Sequence, residues 1–183
     1  MSPDKVSSDR RIKVSVITVC FNSCETIRRT VESVLSQTGV DLEYIIIDGV
    51  STDGTLNILH ENKCDLMKVV SGPDLGIYDA MNKGIDTATG DVIHLLNSDD
   101  YYCEPTSLAQ AVDLLEAGKL NYCDMLKVSA TKRELYSYDL TNPRDLDVRC
   151  GIIQPTWLVW SSIYKKVGRY SLNWYCRHRW KSD

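Results

Sequence analysis

The chain has 183 residues, of which 43% are hydrophobic and 25% charged, and its formal net charge at pH 7 is −4. This length suits one domain with one core, and the mild acidity excludes a general attraction to nucleic acid or to an anionic membrane. The seven cysteines include no C-x-x-C pair, and neither a secretory signal nor an apolar run of 18 residues occurs. We therefore expect a cytoplasmic protein without a membrane span.

Strand-like and helix-like segments alternate four times between residues 12 and 118. The strand-like segments are short and rich in β-branched residues, and they comprise residues 12–20, 42–48, 66–72 and 91–96. Apolar residues at helical spacing follow each of them, and Asn22 with Glu25 predicts a cap on the first helix. This alternation predicts an α/β fold with a mostly parallel sheet between helical layers.

The segments after Gly118 have weaker periodicity. Residues 122–128 and 133–138 are compatible with two antiparallel strands, and the residues from 141 to 151 with a loop.

Three polar clusters follow predicted strands, at the ends where open parallel sheets bind ligands. They are CFN at residues 20–22, DGVSTDGT at residues 48–55 and NSDD at residues 97–100. Turn and helix-cap chemistry would explain each cluster alone, since Asp, Asn and Ser are common in turns. Their occurrence at consecutive strand ends favours a ligand-binding crevice.

Two common nucleotide-binding motifs are absent from the sequence. No G-x-G-x-x-G follows the first strand, and no G-x-x-x-x-G-K-[ST] occurs, so a dinucleotide fingerprint and a phosphate loop are both excluded. A bound diphosphate would then need another counter-charge. Asp99 and Asp100 are adjacent carboxylates, and such hard oxygen ligands hold Mg²⁺ or Mn²⁺, whose open positions take phosphate oxygens.

These segments resemble, in order, glycosyltransferase family 2, an inverting family with the nucleotide-sugar-binding GT-A fold. The resemblance covers about residues 12–170 and rests on VSVITVCFN, VLSQTGVDLEYIIIDGVSTDGT, SGPDLGIYDAMNKGIDTATGDVIHLLNSDD and QPTWLVWSSIYKKVGRY. It implies metal-dependent transfer of a sugar, with inversion, from a UDP- or GDP-linked donor to a carbohydrate or lipid-linked acceptor. It is strongest with enzymes that build bacterial capsule, exopolysaccharide or lipopolysaccharide, which adds an expected contact with the inner face of the membrane.

The resemblance also implies a domain organisation and a set of site residues. One GT-A domain would span residues 1–183, with a polar tail (1–11), a nucleotide-sugar-binding part (12–118) and an incomplete acceptor-side part (119–183). The donor-binding positions of the family correspond to Phe21, Asn22, Asp48, Ser51, Asp53, Tyr78, Asn82, Gly84, Asn97 and Asp99. The metal ligands correspond to Asp99 and Asp100.

The chain departs from the family pattern at two positions and places its predicted base at its last residue. Many members carry two adjacent acids where this chain has Asp48 and Gly49, and Asn97 stands where an acid often opens the D-x-D motif. Uracil and guanine are therefore both candidates for the base of the donor nucleotide. Inverting transfer needs a general base, for which Asp183 is the corresponding residue, although a terminal side chain frays.

Two alternatives follow from these departures. The first is a non-catalytic, nucleotide-binding fragment of such an enzyme. The second is a nucleotidyltransferase, which uses a similar sheet and metal ion, although TVCFNSCET lacks the Gly-rich basic loop typical of that class.

Overall fold

A computed structural model describes residues 11–117, 121–129, 131–137 and 154–172 of the chain. Within these ranges the elements in chain order are β1 (Lys13–Cys20), α1 (Ile27–Leu35), β2 (Asp41–Asp48), α2 (Thr55–Glu61), β3 (Met67–Ser71), α3 (Ile77–Thr87), β4 (Val92–Leu95), α4 (Ser107–Asp113), β5 (Asn121–Tyr122), β6 (Met125–Val128), β7 (Arg133–Tyr136), a short 3-10 helix (Gln154–Thr156), β8 (Trp157–Trp160) and α5 (Ser161–Val167).

The main sheet has the strand order β3-β2-β1-β4-β8-β5. β1 pairs in parallel with both β2 and β4, and β2 pairs in parallel with β3. β8 runs antiparallel to β4 and β5. The chain therefore moves outward from β1 to β3 and then returns to the other side of β1. That reversal brings the carboxyl ends of β1, β2 and β4 to one edge of the sheet, where α/β proteins bind ligands.

The sheet is covered on both faces, which confirms the predicted α/β class. Residues 14 to 20 of β1 are all buried, and their side chains alternate between the two faces with the period of two that a strand imposes. Val14 and Val16 pack in one hydrophobic cluster with residues of α1, α2 and α4. Ile17 and Val19 pack in a second cluster with residues of α3. Burial on both sides explains why the strand sequences are almost continuously apolar.

Helix α3 lies unusually close to β1 at Gly84. A Cβ atom added at this glycine would overlap Cγ2 of Ile17, so the backbone of the helix itself contacts the strand side chain. The glycine thus sets the distance between α3 and the sheet.

The predicted cap of α1 is wrong. The helix begins at Ile27, its N-cap is Thr26, and no side chain caps it. Asn22 has a positive φ of 50°, in the left-handed region that asparagine tolerates, and it bonds to another loop instead.

The later elements contain one confirmed pair and two strands, β5 and β8, that were not predicted, since Tyr122 of the expected strand 122–128 belongs to β5 instead of β6. β6 and β7 form the expected antiparallel pair as a separate two-stranded sheet. β8 joins the main sheet, although its sequence WLVW has no clear period. The loop expected from residue 141 to residue 151 lies outside the described residues. Among the helices that the structure describes, none combines the length and apolarity needed to cross a bilayer.

Candidate functional site

The turn after β1 is joined to the loop after β2 by reciprocal hydrogen bonds of Asn22. The Asn22 N–H donates to Ser51 Oγ at 2.8 Å, and the Thr52 N–H donates to Asn22 Oδ1 at 2.9 Å. Asn22 and Ser51, both predicted to bind the donor, therefore also fix the relative position of the two segments.

Asp53 joins the same two segments a second time. Its Oδ2 accepts from the Cys24 N–H at 2.9 Å, and its Oδ1 accepts from the Thr55 N–H at 3.0 Å and from Thr55 Oγ1 at 2.6 Å. The Thr55 hydroxyl, followed by the Cys24 N–H, holds the pKa of Asp53 well below its usual range. Asp53 is exposed but stays ionised, and protein donors already bond both of its oxygens.

The same turn also contacts the loop after β4. Ser23 Oγ lies 3.0 Å from Ser98 Oγ, and the Ser23 N–H donates to Thr55 Oγ1 at 2.8 Å. The turn after β1 thus lies between the other two loops, and the three predicted polar clusters meet at one edge of the sheet. We call these segments together the crevice; they are residues 20–24, 48–55 and 97–100.

Asp99 and Asp100 lie in the crevice, and no described lysine or arginine pairs with them. Asp99 is exposed and Asp100 is half-buried, with the Asn97 Nδ2–H donating to Asp100 Oδ2 at 3.1 Å. Burial, and then the negative charge of Asp99, raise the pKa of Asp100, and the Asn97 bond offsets only part of this. Within the described ranges, no lysine or arginine forms an ion pair with either carboxylate.

The carboxylates of Asp99 and Asp100 suit a hard divalent cation that takes only some of its ligands from the protein. No group of three His, Cys, Asp or Glu side chains that could hold a metal ion occurs among the described residues. Mg²⁺ and Mn²⁺ commonly take one or two carboxylates and fill their other positions with substrate phosphates and water. The chemistry of the two side chains is therefore compatible with the predicted cofactor.

Asp48 is placed differently from the other acids. It is 0% exposed, and it accepts from the Ser71 hydroxyl at 2.6 Å and from the N–H groups of Val50 and Ser51, each at 3.1 Å. The buried Cys20 Sγ–H donates to it at 3.8 Å. Asp48 therefore ties together the ends of β1, β2 and β3, and its contact with a donor stays a prediction.

Cys20 is not set up as a nucleophile. Burial, and then the charge of Asp48, raise the pKa of the Cys20 thiol to about 12, so it remains protonated.

Helix α3 uses its predicted site residues for contacts inside the protein. Asn82 Nδ2–H donates to the Tyr170 carbonyl at 2.9 Å, and the Tyr170 N–H donates to Asn82 Oδ1 at 3.0 Å. The rings of Tyr78 and Tyr170 are stacked, with their centroids 5.5 Å apart. Asn82 and Tyr78 thus hold residue 170 against α3, while Gly84 packs on Ile17 of β1. A donor contact of these three predicted residues stays a prediction.

Asp74 lies beside the crevice and was missed by the sequence analysis. A Cβ atom added to Gly49 would lie 2.7 Å from Asp74 Oδ2 and 3.4 Å from Cδ2 of Phe21, whose side chain is 64% exposed. The carboxylate of the loop after β3 therefore reaches the turn after β2. A signal was present, since Asp74 follows the third predicted strand just as the three polar clusters follow the others.

Lys83, a basic residue close to these segments, is engaged within the protein. Its Nζ donates to the Pro73 carbonyl at 2.7 Å and pairs with Asp79 at 2.8 Å.

A cavity of about 820 Å³ opens on the other side of Asp100. Its described lining mixes apolar and aromatic side chains with polar ones, and includes Tyr101, Leu114, Leu126 and Leu135. Asp183, the predicted base, lies outside the described residues.

Curated relatives from bacteria match between about half and two thirds of the chain. An uncharacterized glycosyltransferase of Mycobacterium tuberculosis is 43% identical over 103 residues, which is 56% of this chain and 39% of the relative. A PGL/p-HBAD biosynthesis glycosyltransferase of Mycobacterium bovis is 33% identical over 132 residues, which is 69% of this chain and 52% of the relative. The chain thus spans about half the length, or less, of these two relatives.

Solved structures of glycosyltransferases share the fold. A mannosyltransferase from Pyrobaculum calidifontis in complex with GDP-Man and Mn²⁺ superposes with a TM-score of 0.68 at 21% identity, covering 94% of this chain and 52% of the other. S. aureus TarS in complex with UDP-GlcNAc gives a TM-score of 0.64 at 23% identity, covering 85% of this chain and 47% of the other. These likenesses confirm the predicted GT-A architecture.

The family model named Glycosyl transferase family 2 matches residues 15–180, which include all three segments of the crevice. As the sequence motifs predicted, the chain belongs to glycosyl transferase family 2.

Proposed function

We propose that this chain binds a nucleotide-diphosphate sugar with Mg²⁺ or Mn²⁺ and transfers the sugar, with inversion, to a carbohydrate or lipid-linked acceptor. One observation carries the proposal: the crevice joins three loops by hydrogen bonds, and no lysine or arginine among the described residues pairs with Asp99 or Asp100. A diphosphate with its divalent cation supplies the charge that these residues lack. The solved neighbours with GDP-Man and Mn²⁺, and with UDP-GlcNAc, support a donor of this class.

Asp99 and Asp100 would hold the cation. The raised pKa of Asp100 supports this role because it shows a carboxylate whose charge the protein does not compensate. A bound divalent cation neutralises the charge that develops on the leaving nucleoside diphosphate. Asn97 keeps Asp100 in place through its amide N–H, and its Oδ1 remains able to accept from a ribose hydroxyl.

The remaining predicted roles follow the layout of the crevice. Phe21, Asn22 and Ser51 would contact the base and ribose, with Asp48 and Asp53 holding the loops that carry them. The acceptor hydroxyl must lose its proton to a base on the face of the sugar opposite the diphosphate. Asp183 is the residue that we propose for this step.

The cavity beside Asp100 is our candidate route for the acceptor. Leu114 is 79% exposed and Leu135 is 68% exposed at this cavity, and such apolar surface suits the hydrocarbon part of a lipid-linked acceptor. We accordingly propose a role in bacterial surface polysaccharide synthesis at the inner face of the membrane. The family resemblance supports this role, and the two relatives are bacterial glycosyltransferases.

Titration of UDP- and GDP-sugars by calorimetry, with Mn²⁺ or with EDTA, tests the donor and the metal together. We expect binding that requires Mn²⁺. In Asp100→Asn the affinity should fall by more than the roughly 10- to 100-fold that loss of an outer-shell partner costs. Asp113→Asn, an exposed aspartate at the end of α4, is the matched control and should bind like the wild type. Equal affinity with Mn²⁺ and EDTA, or equal affinity in the two variants, would remove the metal role.

A turnover assay distinguishes the proposed glycosyltransferase from a non-catalytic fragment and from a nucleotidyltransferase. Transfer or slow hydrolysis of the bound donor by the 183-residue chain supports an enzyme. Binding without either reaction favours a non-catalytic fragment, and pyrophosphate release from a nucleoside triphosphate favours a nucleotidyltransferase.

A further inference from the structure

Asp74 lies next to Gly49, in the space that a side chain at position 49 would enter. The Oδ2 atom of Asp74 lies 2.7 Å from where a Cβ atom of residue 49 would stand, and the edge of the Phe21 ring lies 3.4 Å from the same point. Gly49 is not in the left-handed region of backbone conformation, and a side chain at this position would require the Asp74 carboxylate to move.

The turn that carries Asp74 is held from helix α3. Asp74 Oδ1 accepts from the Gly76 N–H at 2.9 Å, which closes the turn, and Asp79 Oδ2 accepts from the Leu75 N–H at 3.0 Å. Lys83 donates to the Pro73 carbonyl at 2.7 Å and pairs with Asp79. These bonds fix the turn with Asp74 Oδ2 directed at Gly49.

Asp74 Oδ2 has a negative charge to offer to a ligand. In the part of the chain that the structure describes, no lysine or arginine forms an ion pair with Asp74. The Phe21 ring beside it, which belongs to the only phenylalanine of the sequence, is mostly exposed. An exposed aromatic face next to a fixed acceptor oxygen matches a flat heterocycle that stacks on the ring and presents an N–H at its edge.

We propose that Asp74 and Phe21 form the subsite for the nucleotide base, in which Asp74 Oδ2 accepts the ring N–H of uracil or guanine. The inference rests on the proposed function, because it assumes that the crevice binds a nucleotide. Uracil carries a hydrogen on N3 and guanine carries one on N1. Cytosine and adenine have an unprotonated nitrogen at the corresponding place, whose lone pair would face the carboxylate. Asp74 therefore selects against cytidine and adenosine donors.

Calorimetry with base-methylated nucleotides tests this contact directly. Wild type and variants are titrated, with Mn²⁺ present, with UDP, GDP, CDP, ADP, N3-methyl-UDP and N1-methyl-GDP. In the wild type, methylation of the preferred base should weaken binding by about tenfold or more, as expected for one hydrogen bond to a charged group. In Asp74→Asn the unmethylated nucleotide should lose a similar factor, and the methylated one should bind as it does to the wild type.

A stability check on Asp74→Asn and two further variants, Gly49→Ala and Asp65→Ala, control this experiment. Asp74→Asn retains an oxygen that can accept from the Gly76 N–H, so the turn should persist, and an unchanged melting temperature checks this. Gly49→Ala adds the Cβ atom that would displace Asp74 Oδ2, and it should lose the same discrimination while keeping the dependence on Mn²⁺. Asp65→Ala, an exposed aspartate before β3, is the control that should match the wild type.

The outcomes separate this inference from the proposed function. An equal methylation penalty in wild type and Asp74→Asn, or a wild-type preference for CDP or ADP, would overturn the base subsite alone. If no nucleotide binds the wild type with Mn²⁺, the proposed function fails and the subsite with it.

Discussion

The aspartates of the crevice differ in what surrounds their charge. Asp48 and Asp53 accept hydrogen bonds from N–H and O–H groups of the protein, whereas Asp100 accepts one amide N–H and lies beside another carboxylate. The sequence could not distinguish them, since DGVSTDGT and NSDD both have turn composition. Two of the donors, Ser71 to Asp48 and Cys24 to Asp53, come from the end of β3 and from the turn after β1, and only the fold brings these segments together.

Replacement of Asp100 should stabilise the metal-free protein while it abolishes metal-dependent binding. Because the pKa of Asp100 is raised in the folded state, the folded state holds the proton more tightly than the unfolded state. At pH values above the raised pKa, ionised Asp100 therefore lowers the free energy of unfolding. This destabilisation disappears at pH values below the usual aspartate pKa of about 3.9, where the carboxyl is protonated in both states. Urea denaturation in EDTA should show Asp100→Asn to be more stable than wild type at pH 7 but not at pH 3.

The exposed Asp113→Asn is again the control and should follow the wild type at both pH values. A less stable Asp100→Asn at pH 7 would show that the bond from Asn97 outweighs burial and repulsion.

At the scale of helices and strands, the sequence predicted the first four strands to within about two residues because burial on both faces produces long β-branched runs. It failed where contacts distant in sequence decide the structure. Asn22 is a residue type that often caps helices, yet its side-chain oxygen accepts a hydrogen bond from the Thr52 N–H. β8 is four apolar residues without periodicity, and only pairing with β4 and β5 makes it a strand. Gly84 was predicted as a donor-binding position, and its packing on Ile17 was not foreseen.

Gly84→Ala should destabilise the protein by about 1–3 kcal/mol, the usual cost of overpacking a core. The added Cβ atom would overlap Ile17 Cγ2 and push α3 away from β1. Gly72→Ala is the matched control, because nothing lies within 4 Å of its added Cβ atom, and it should change stability by less than about 0.5 kcal/mol. Urea denaturation measures both variants.

The double variant Ile17→Ala/Gly84→Ala removes the overlapping methyl group. Its loss of stability should be smaller than the sum of the two single losses, since residues in contact are not additive. Strict additivity would show that the overlap at Gly84 does not determine its cost.

At the scale of the molecule, His94 connects the sheet to the segments that follow the NSDD loop. Nε2 of the buried ring lies 2.7 Å from the Pro155 carbonyl, which can only accept, so Nε2 carries the hydrogen. Nδ1 of the neutral ring then accepts from the Tyr102 hydroxyl at 2.5 Å. Neither partner of His94 could be identified from the sequence, and Pro155 lies 61 residues further along the chain.

The protein should lose stability as the pH falls below about 6.5, the usual pKa of histidine. Burial lowers the pKa of His94 in the folded state, although the bond to Pro155 opposes this, so the unfolded state binds the proton first. Uptake of one proton on unfolding changes the free energy of unfolding by at most about 1.4 kcal/mol per pH unit. Thermal and urea denaturation between pH 5 and 7 should show this slope in wild type and a smaller one in His94→Gln, whose amide can serve both partners without a charge.

The exposed His60→Gln is the control and should keep the wild-type slope. Identical slopes in wild type and His94→Gln would assign the pH dependence to other groups.

The position of β8 between β4 and β5 has a consequence for synthesis on the ribosome. β4 pairs with β1 as soon as both have emerged, but its other edge stays open until residues 157–160 have been translated. Open strand edges attract one another, so nascent chains on neighbouring ribosomes are exposed to mispairing during this interval. Any dissection of the molecule into smaller pieces should therefore keep β8 together with the four parallel strands.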